Sequence, residues 1–187
     1  MKNKWYNYPY SEAVFGGGIN ISNWIELTQS EEKTVWKKVF NEFQFKPSIS
    51  KFPSFIVPSP FITYDISPYG NWSGNIEEYE EIYKDLEDKS LFAFQEITND
   101  NEYFYALDWQ HLCYWVNPFL EFPRDEFNEW IIPIFPDGDY YFFLQKEFNW
   151  GFLGHPWEKT ITVFGKELIQ AFEKNKPRMF NSILRIG

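Results

Sequence analysis

Short runs of apolar side chains with a period near two, separated by turn residues, fill the chain beyond Ser90 and limit what it can fold into. Leu91–Ile97 and Glu102–Trp109 read as strands joined by the turn-rich Thr98-Asn99-Asp100-Asn101. Leu112–Val116 reads as a further strand, ended by Asn117-Pro118. Trp130–Phe135 and Tyr140–Leu144 flank Pro136-Asp137-Gly138-Asp139, a strong turn signal, and so read as a hairpin. Gly151–Leu153 and Thr160–Phe164 complete the series. Consecutive strands with such short connections pair antiparallel.

Helical signals lie on either side of this block. Thr28 and Glu31 have the spacing of a capping box, and Val35, Trp36, Val39, Phe40 and Phe43 follow at helical intervals until Pro47. Ile76, Tyr79, Ile82, Tyr83 and Leu86 predict a second helix over Asn75–Asp88, and its many glutamates read as a solvated face. A closing helix is expected over Lys166–Lys174. Phe61–Ile66 reads as one more strand. The expected fold is α+β: a curved antiparallel sheet with helices packed on one face. The chain is read as one domain over 1–187, with 1–27 as an N-terminal extension. Residues 47–60 hold Pro47, Pro53, Pro58 and Pro60 but also Phe52, Phe55, Ile56 and Val57, so they are expected to lie extended on the domain.

The sequence has 21 Phe, 12 Tyr and 9 Trp, so rings build the core. The formal charge of -10 repels phosphates and anionic lipid, which argues against nucleic acid and suits a basic protein partner or plain solubility. The single cysteine, Cys113, forms no intrachain disulfide. Met1–Tyr10 lacks the apolar run of a signal peptide, and no stretch is long and apolar enough for a membrane helix. A cytoplasmic location is expected, in which the sequons at Asn20 and Asn71 have no meaning.

Several residues are candidates for chemistry. His111 and His155 each sit near a strand end beside a Trp and a carboxylate, Asp108 and Glu158 respectively. If the fold gathers these four, they offer a metal site or an acid and a base; otherwise each histidine is a hydrogen-bonded turn residue. Asp137 and Asp139 suit a cation or a tight turn. Cys113 is a nucleophile only if its thiol is activated; among Leu112, Tyr114 and Trp115 it reads as buried and inert. Trp109, Trp115, Trp150 and Trp157 are either a stacking platform or core, and Trp109 shares a strand face with Tyr103, Tyr105 and Leu107. Gly16-Gly17-Gly18 lacks the Lys-Ser/Thr of a phosphate loop. No cofactor is implied.

Three segments carry a resemblance: Tyr105–His111 with Cys113-Tyr114, Pro133–Tyr141, and Gly151–Glu158 with Val163-Phe164-Gly165. In these the chain resembles an uncharacterised family of Gram-positive bacteria, which implies no activity or site. The Asp-Gly-Asp-Tyr turn in an acidic α+β setting is also loosely similar to immunity proteins of the yeast cell-wall-regulator superfamily, although their more glycine-rich turn is missing here.

Three functions remain open on the sequence. One is a non-enzymatic intracellular binding protein, in the form of an immunity-type inhibitor of a basic toxin. A second is a small hydrolase or metal-dependent enzyme using His111 and His155. A third is a carbohydrate or small-ligand module using exposed Trp.

Overall fold

A computed structural model describes residues 23–70, 75–126 and 128–187. Gly16–Gly18, both sequons and all but the last five residues of the 1–27 segment lie outside the described residues. The elements run β1 (Ile25–Glu26), α1 (Gln29–Glu42), β2 (Phe61–Asp65), α2 (Ile76–Ile97), β3 (Phe104–Asp108), β4 (Tyr114–Val116), β5 (Tyr141–Leu144), β6 (Gly151–His155), β7 (Thr160–Phe164), α3 (Lys166–Lys174) and β8 (Ser182–Ile186). The eight strands form one open sheet in the order β1-β4-β3-β5-β6-β7-β2-β8, and every pairing is antiparallel.

Local chemistry explains the ends of the first and third helices. The Thr28 hydroxyl accepts from the Glu31 N–H at 3.3 Å, and the Glu31 carboxylate accepts from the Thr28 N–H at 2.8 Å, which is the expected capping box. At the start of α3, Gly165 has φ 90, and a Cβ there would sit 2.5 Å from the Asn149 carbonyl oxygen. Only glycine tolerates both that torsion and that approach.

Both faces of the central strands are apolar, so both need cover. On β5, Tyr141 and Phe143 join the cluster under α2 and α3, with Phe94, Trp150, Phe152, Leu168 and Phe172. Phe142 and Leu144 point the other way, into the cluster under α1, with Val35, Trp36, Val39, Phe43, Leu153 and Phe164. The expected α+β class and antiparallel sheet are what the chain adopts. Packing on one face describes α2 and α3; α1 lies on the opposite side, because the alternate side chains would otherwise face water. The segment 47–60 lies against the α1 side, where Phe55 and Val57 are buried and the Ile56 N–H donates to the Phe43 carbonyl at 2.7 Å. Asn23 anchors the entry to β1: its side-chain amide donates to the carbonyls of Asn117, Leu120 and Glu121.

Three local readings are corrected. Leu91–Ile97 is the last part of α2, not a strand. Ser90, Ala93 and Phe94 are buried at helical spacing while Phe92 is 49% exposed, so the apolar run spans two helix faces. The Thr98–Asn101 turn therefore joins a helix to β3. Trp130–Phe135 is not a strand either. Trp130, Ile132 and Ile134 are buried alternately, but Pro133 lacks an N–H for a ladder, and only an isolated bridge, Arg124 to Trp130, forms. The Pro136–Asp139 turn is thus no hairpin; β5 pairs with β3 and β6 instead. The outermost strands β1 and β8 had no sequence expectation. No helix among the described residues is long and apolar enough to cross a membrane.

Candidate functional site

Antiparallel pairing puts the C-terminal ends of β2, β3 and β6 and the N-terminal ends of β5 and β7 at one rim of the sheet. The register Asp108↔Tyr141, Phe142↔Leu153 and His155↔Thr160 fixes the rows there. Both histidine segments reach this rim, but on opposite sides of the sheet. Leu107 faces the α1 cluster, so Asp108 faces the other way; Leu153 also faces α1, so His155, two residues on, does too. Of the two arrangements left open for His111, His155, Asp108 and Glu158, the shared centre is not formed: alternation on β3 and β6 separates the two histidine segments.

On the α2 side, a tight turn with Gln110 at φ 68 brings His111 back over Asp108. The imidazole Nδ1 lies 3.1 Å from Asp108 Oδ1 and 3.8 Å from Asp139 Oδ2. Ligand atoms of Asp108, His111 and Asp139 all fall within 4.8 Å of one another, and the His111 side chain is 64% exposed. Asp139 also accepts from the Tyr140 N–H at 2.7 Å, which orients it. Burial pushes Asp108 up to about 6, against the pull of His111, with Asp139 and Asp137 adding to the rise. Asp137 and Asp139 are raised by burial as well. Burial raises Glu129 to about 7, helped by Asp137, Asp125 and Glu87. Partial burial would lower His111, but Asp108, through charge and hydrogen bond, and Asp139 together raise it. Among the described residues no Lys or Arg pairs with Asp108, Asp137, Asp139 or Glu129. The rim is a set of partly desolvated carboxylates in which, among the described residues, His111 is the ionisable base that approaches Asp108 and Asp139.

On the α1 side, His155 is fully buried. Its Nδ1 accepts from the Glu158 N–H at 3.1 Å, so the neutral ring carries its proton on Nε2, which donates to Ser54 Oγ at 2.8 Å. The Tyr140 hydroxyl donates to Ser54 Oγ at 2.8 Å and accepts from the Ser48 N–H at 2.9 Å. This network ties the segment 47–60 to β5 and β6. Glu158 is held bidentately by Arg185 of β8, both contacts at 2.7 Å. His155 and Glu158 are thus committed to the fold.

The tryptophans are also divided. Trp150 is buried and stacked near Phe94 at 5.7 Å. Trp109 is half-buried against Trp36, Phe40 and Phe45, and Trp115 stacks on Tyr105 at 4.0 Å. Trp157, 40% exposed, and Phe52, 43% exposed, flank the buried His155 at the rim. Cys113 is buried and its thiol pushed up to about 12 by burial, an inert group. Sequence reasoning missed Glu129, which tertiary folding brings near Asp137.

Fold and site together define an α+β protein with an open antiparallel sheet and an acidic, aromatic rim. The chain belongs to the family of proteins of unknown function designated DUF2716, matched over residues 26–169. It is similar to the uncharacterized protein YxiI of Bacillus subtilis (strain 168), with 41% identity over 162 residues, covering 87% of this chain and 99% of that protein. No solved structure matches. The resemblance to an uncharacterised bacterial family is thereby shown, and neither finding extends to the immunity proteins.

Proposed function

We propose that this is a non-enzymatic, cytoplasmic binding protein that receives the cationic groups of a basic protein partner at its acidic rim, as an immunity-type inhibitor masks a basic toxin. The observation that carries this reading is the set of carboxylates at the rim that, among the described residues, form no ion pair with Lys or Arg. A cation supplied by a partner would relieve the desolvation that now raises them. Exposed Trp157 and Phe52 at the same end supply aromatic anchors. A basic peptide of about ten Arg and Lys residues should bind, and Asp108→Asn with Asp139→Asn should weaken it about tenfold or more, since a charged hydrogen bond is worth about 1.5–3 kcal/mol. The control Glu42→Gln with Glu167→Gln changes net charge equally at exposed sites away from the rim. Equal weakening by both pairs would mean general charge attraction and would sink the reading. The rim pair should also be more stable than the parent near pH 7.5 by about 1–2 kcal/mol, because a carboxylate with a raised folded pKa costs stability as pH rises through that pKa.

A second reading rests on the close approach of Asp108, His111 and Asp139, two carboxylates and an imidazole suited to a divalent metal. Metal–ligand bonds of about 2 Å require the three atoms to draw slightly closer. Zinc should then raise the melting temperature of the parent and not of His111→Ala. Identical melting of the parent with and without zinc retires this reading.

A further inference from the structure

The sheet has an open edge at β8, and among the described residues no strand lies beyond it. The free N–H and C=O groups of such an edge accept a further strand, so native sheets guard it with lysine, proline or a bulge. Ser182-Ile183-Leu184-Arg185-Ile186 holds neither lysine nor proline. Its one charge, Arg185, is drawn off to Glu158 by two bonds of 2.7 Å. The strand is otherwise apolar and open to solvent: Ile183 and Leu184 are 48% exposed and Ile186 is 70% exposed. Phe61 and Gly187 exchange both backbone bonds, at 2.8 and 3.1 Å. Ile186, one residue back and opposite Ile62, is therefore in a pair without ladder bonds, and its N–H and C=O aim away from β2. A register shift between Thr63 and Tyr64 sets Ile183 opposite Tyr64. Ile183 and Ile186, three residues apart, thus lie on the one face that Ile62 and Tyr64 share.

We infer that this edge joins two copies of the chain, with β8 pairing antiparallel to β8 of a second copy about a twofold axis and extending the sheet across both. A strand paired with itself about such an axis makes the same contacts twice. Ile183 and Ile186 of one copy meet Ile186 and Ile183 of the other on one face, and the outward N–H and C=O of Ile186 gain a partner. Charge selects a second copy over the basic partner proposed for the rim. Residues 174–187 hold Lys174, Lys176, Arg178 and Arg185 and no Asp or Glu. Lys174 pairs with Glu96, Arg178 with Glu81 and Asp85, and Arg185 with Glu158. The edge is thus close to neutral on a chain of net charge -10. Two copies meet there without the repulsion that opposes contact elsewhere, and a basic segment gains no counter-charge from the strand. The register shift keeps the shared ladder short. That ladder, with three apolar side chains from each copy, buries on the order of 1,000 Å², low for a specific interface, so Kd is on the order of tens of micromolar.

The test is sedimentation equilibrium of the full chain from about 5 to about 500 μM. The mass should rise from that of one chain toward that of two and stop there. The Ile186 amide should exchange with solvent more slowly as concentration rises. Ile186→Lys puts a charge on the edge, and Ile186→Pro removes the outward N–H without touching the bonds to β2. Each should weaken association at least about tenfold. Ile186→Lys, whose side chain stands in solvent, carries the test where the proline variant does not fold. Phe92→Lys, a change at a 49% exposed position on α2, should leave association within about twofold. A chain that stays monomeric throughout overturns the proposal and leaves the edge to a strand of another protein. Association that survives Ile186→Lys, that Phe92→Lys weakens as much, or that grows past two chains overturns it as well.

Discussion

Trp109→Ala is expected to lower the denaturant midpoint and to cost about 3 kcal/mol. The ring closes the outer end of the α1-side core, with centroids of Trp36, Phe45 and Phe40 at 5.1, 5.3 and 5.4 Å. Truncation removes these contacts at once, and the cavity is bounded by α1, β3 and the segment after α1, which cannot all collapse inward. The ring is half-buried, which places the loss at the lower end of the range for buried aromatics. Equilibrium unfolding in guanidinium measures it. A midpoint equal to the parent's would show that the ring does not support the core, and would return Trp109 to the list of surface binding residues.

The second large effect is on acid stability and follows from His155. Burial drives its folded pKa down to about 4; Glu158 opposes this and Arg185 adds to it. The unfolded histidine titrates near 6.5. Between these values the unfolded chain binds a proton that the folded chain refuses, so stability is fully present above about pH 6.5 and is lost as pH falls toward 4. At about pH 4.5 the loss amounts to roughly 2.5 kcal/mol. The rim works in the opposite direction: Asp108 at about 6 and Glu129 at about 7 take up protons in the folded state first and add stability as pH falls. The parent's pH curve alone therefore mixes the two. His155→Gln isolates one of them. At about pH 7.5 the variant should be less stable than the parent by about 2–3 kcal/mol, since Ser54 and the Glu158 N–H lose a buried partner. At about pH 4.5 that gap should close by roughly 2.5 kcal/mol. A gap that is the same at both pH values would show that His155 is not held neutral in the fold.

Both effects concern residues first singled out as possible site residues, and both place them in the scaffold. His155 and Glu158 hold the 47–60 segment and β8 onto the sheet. The candidate site is left with Asp108, His111, Asp137 and Asp139, four of the residues named from sequence, joined by Glu129, which no spacing pointed to. Asp108 and His111 were legible as a pair because they lie three residues apart in a turn. Asp139 was legible as a turn residue, but its approach to His111 depends on β5 lying beside β3, across more than twenty residues of chain.

The same division runs through the fold. The Thr28–Glu31 capping box and the helix over Lys166–Lys174 each depend on groups within a few residues of one another, and the sequence by itself determined them; the strand over Thr160–Phe164 was legible from its β-branched and aromatic run, with its ladder supplied by β2 and β6. Leu91–Ile97 was open to two readings because Leu91-Phe92-Ala93-Phe94 is apolar at every position and fits either period. Helix α2 wins because continuing it sets Phe94 among Phe104, Phe143, Trp150 and Phe152. Trp130–Phe135 alternates like a strand, yet Pro133 and the lack of an adjacent strand edge deny it a ladder. Whether a histidine faces a partner or the core was likewise decided only by tertiary structure: a strand's side chains alternate every residue, so the face each one takes is set by a register that forms between strands far apart in the chain.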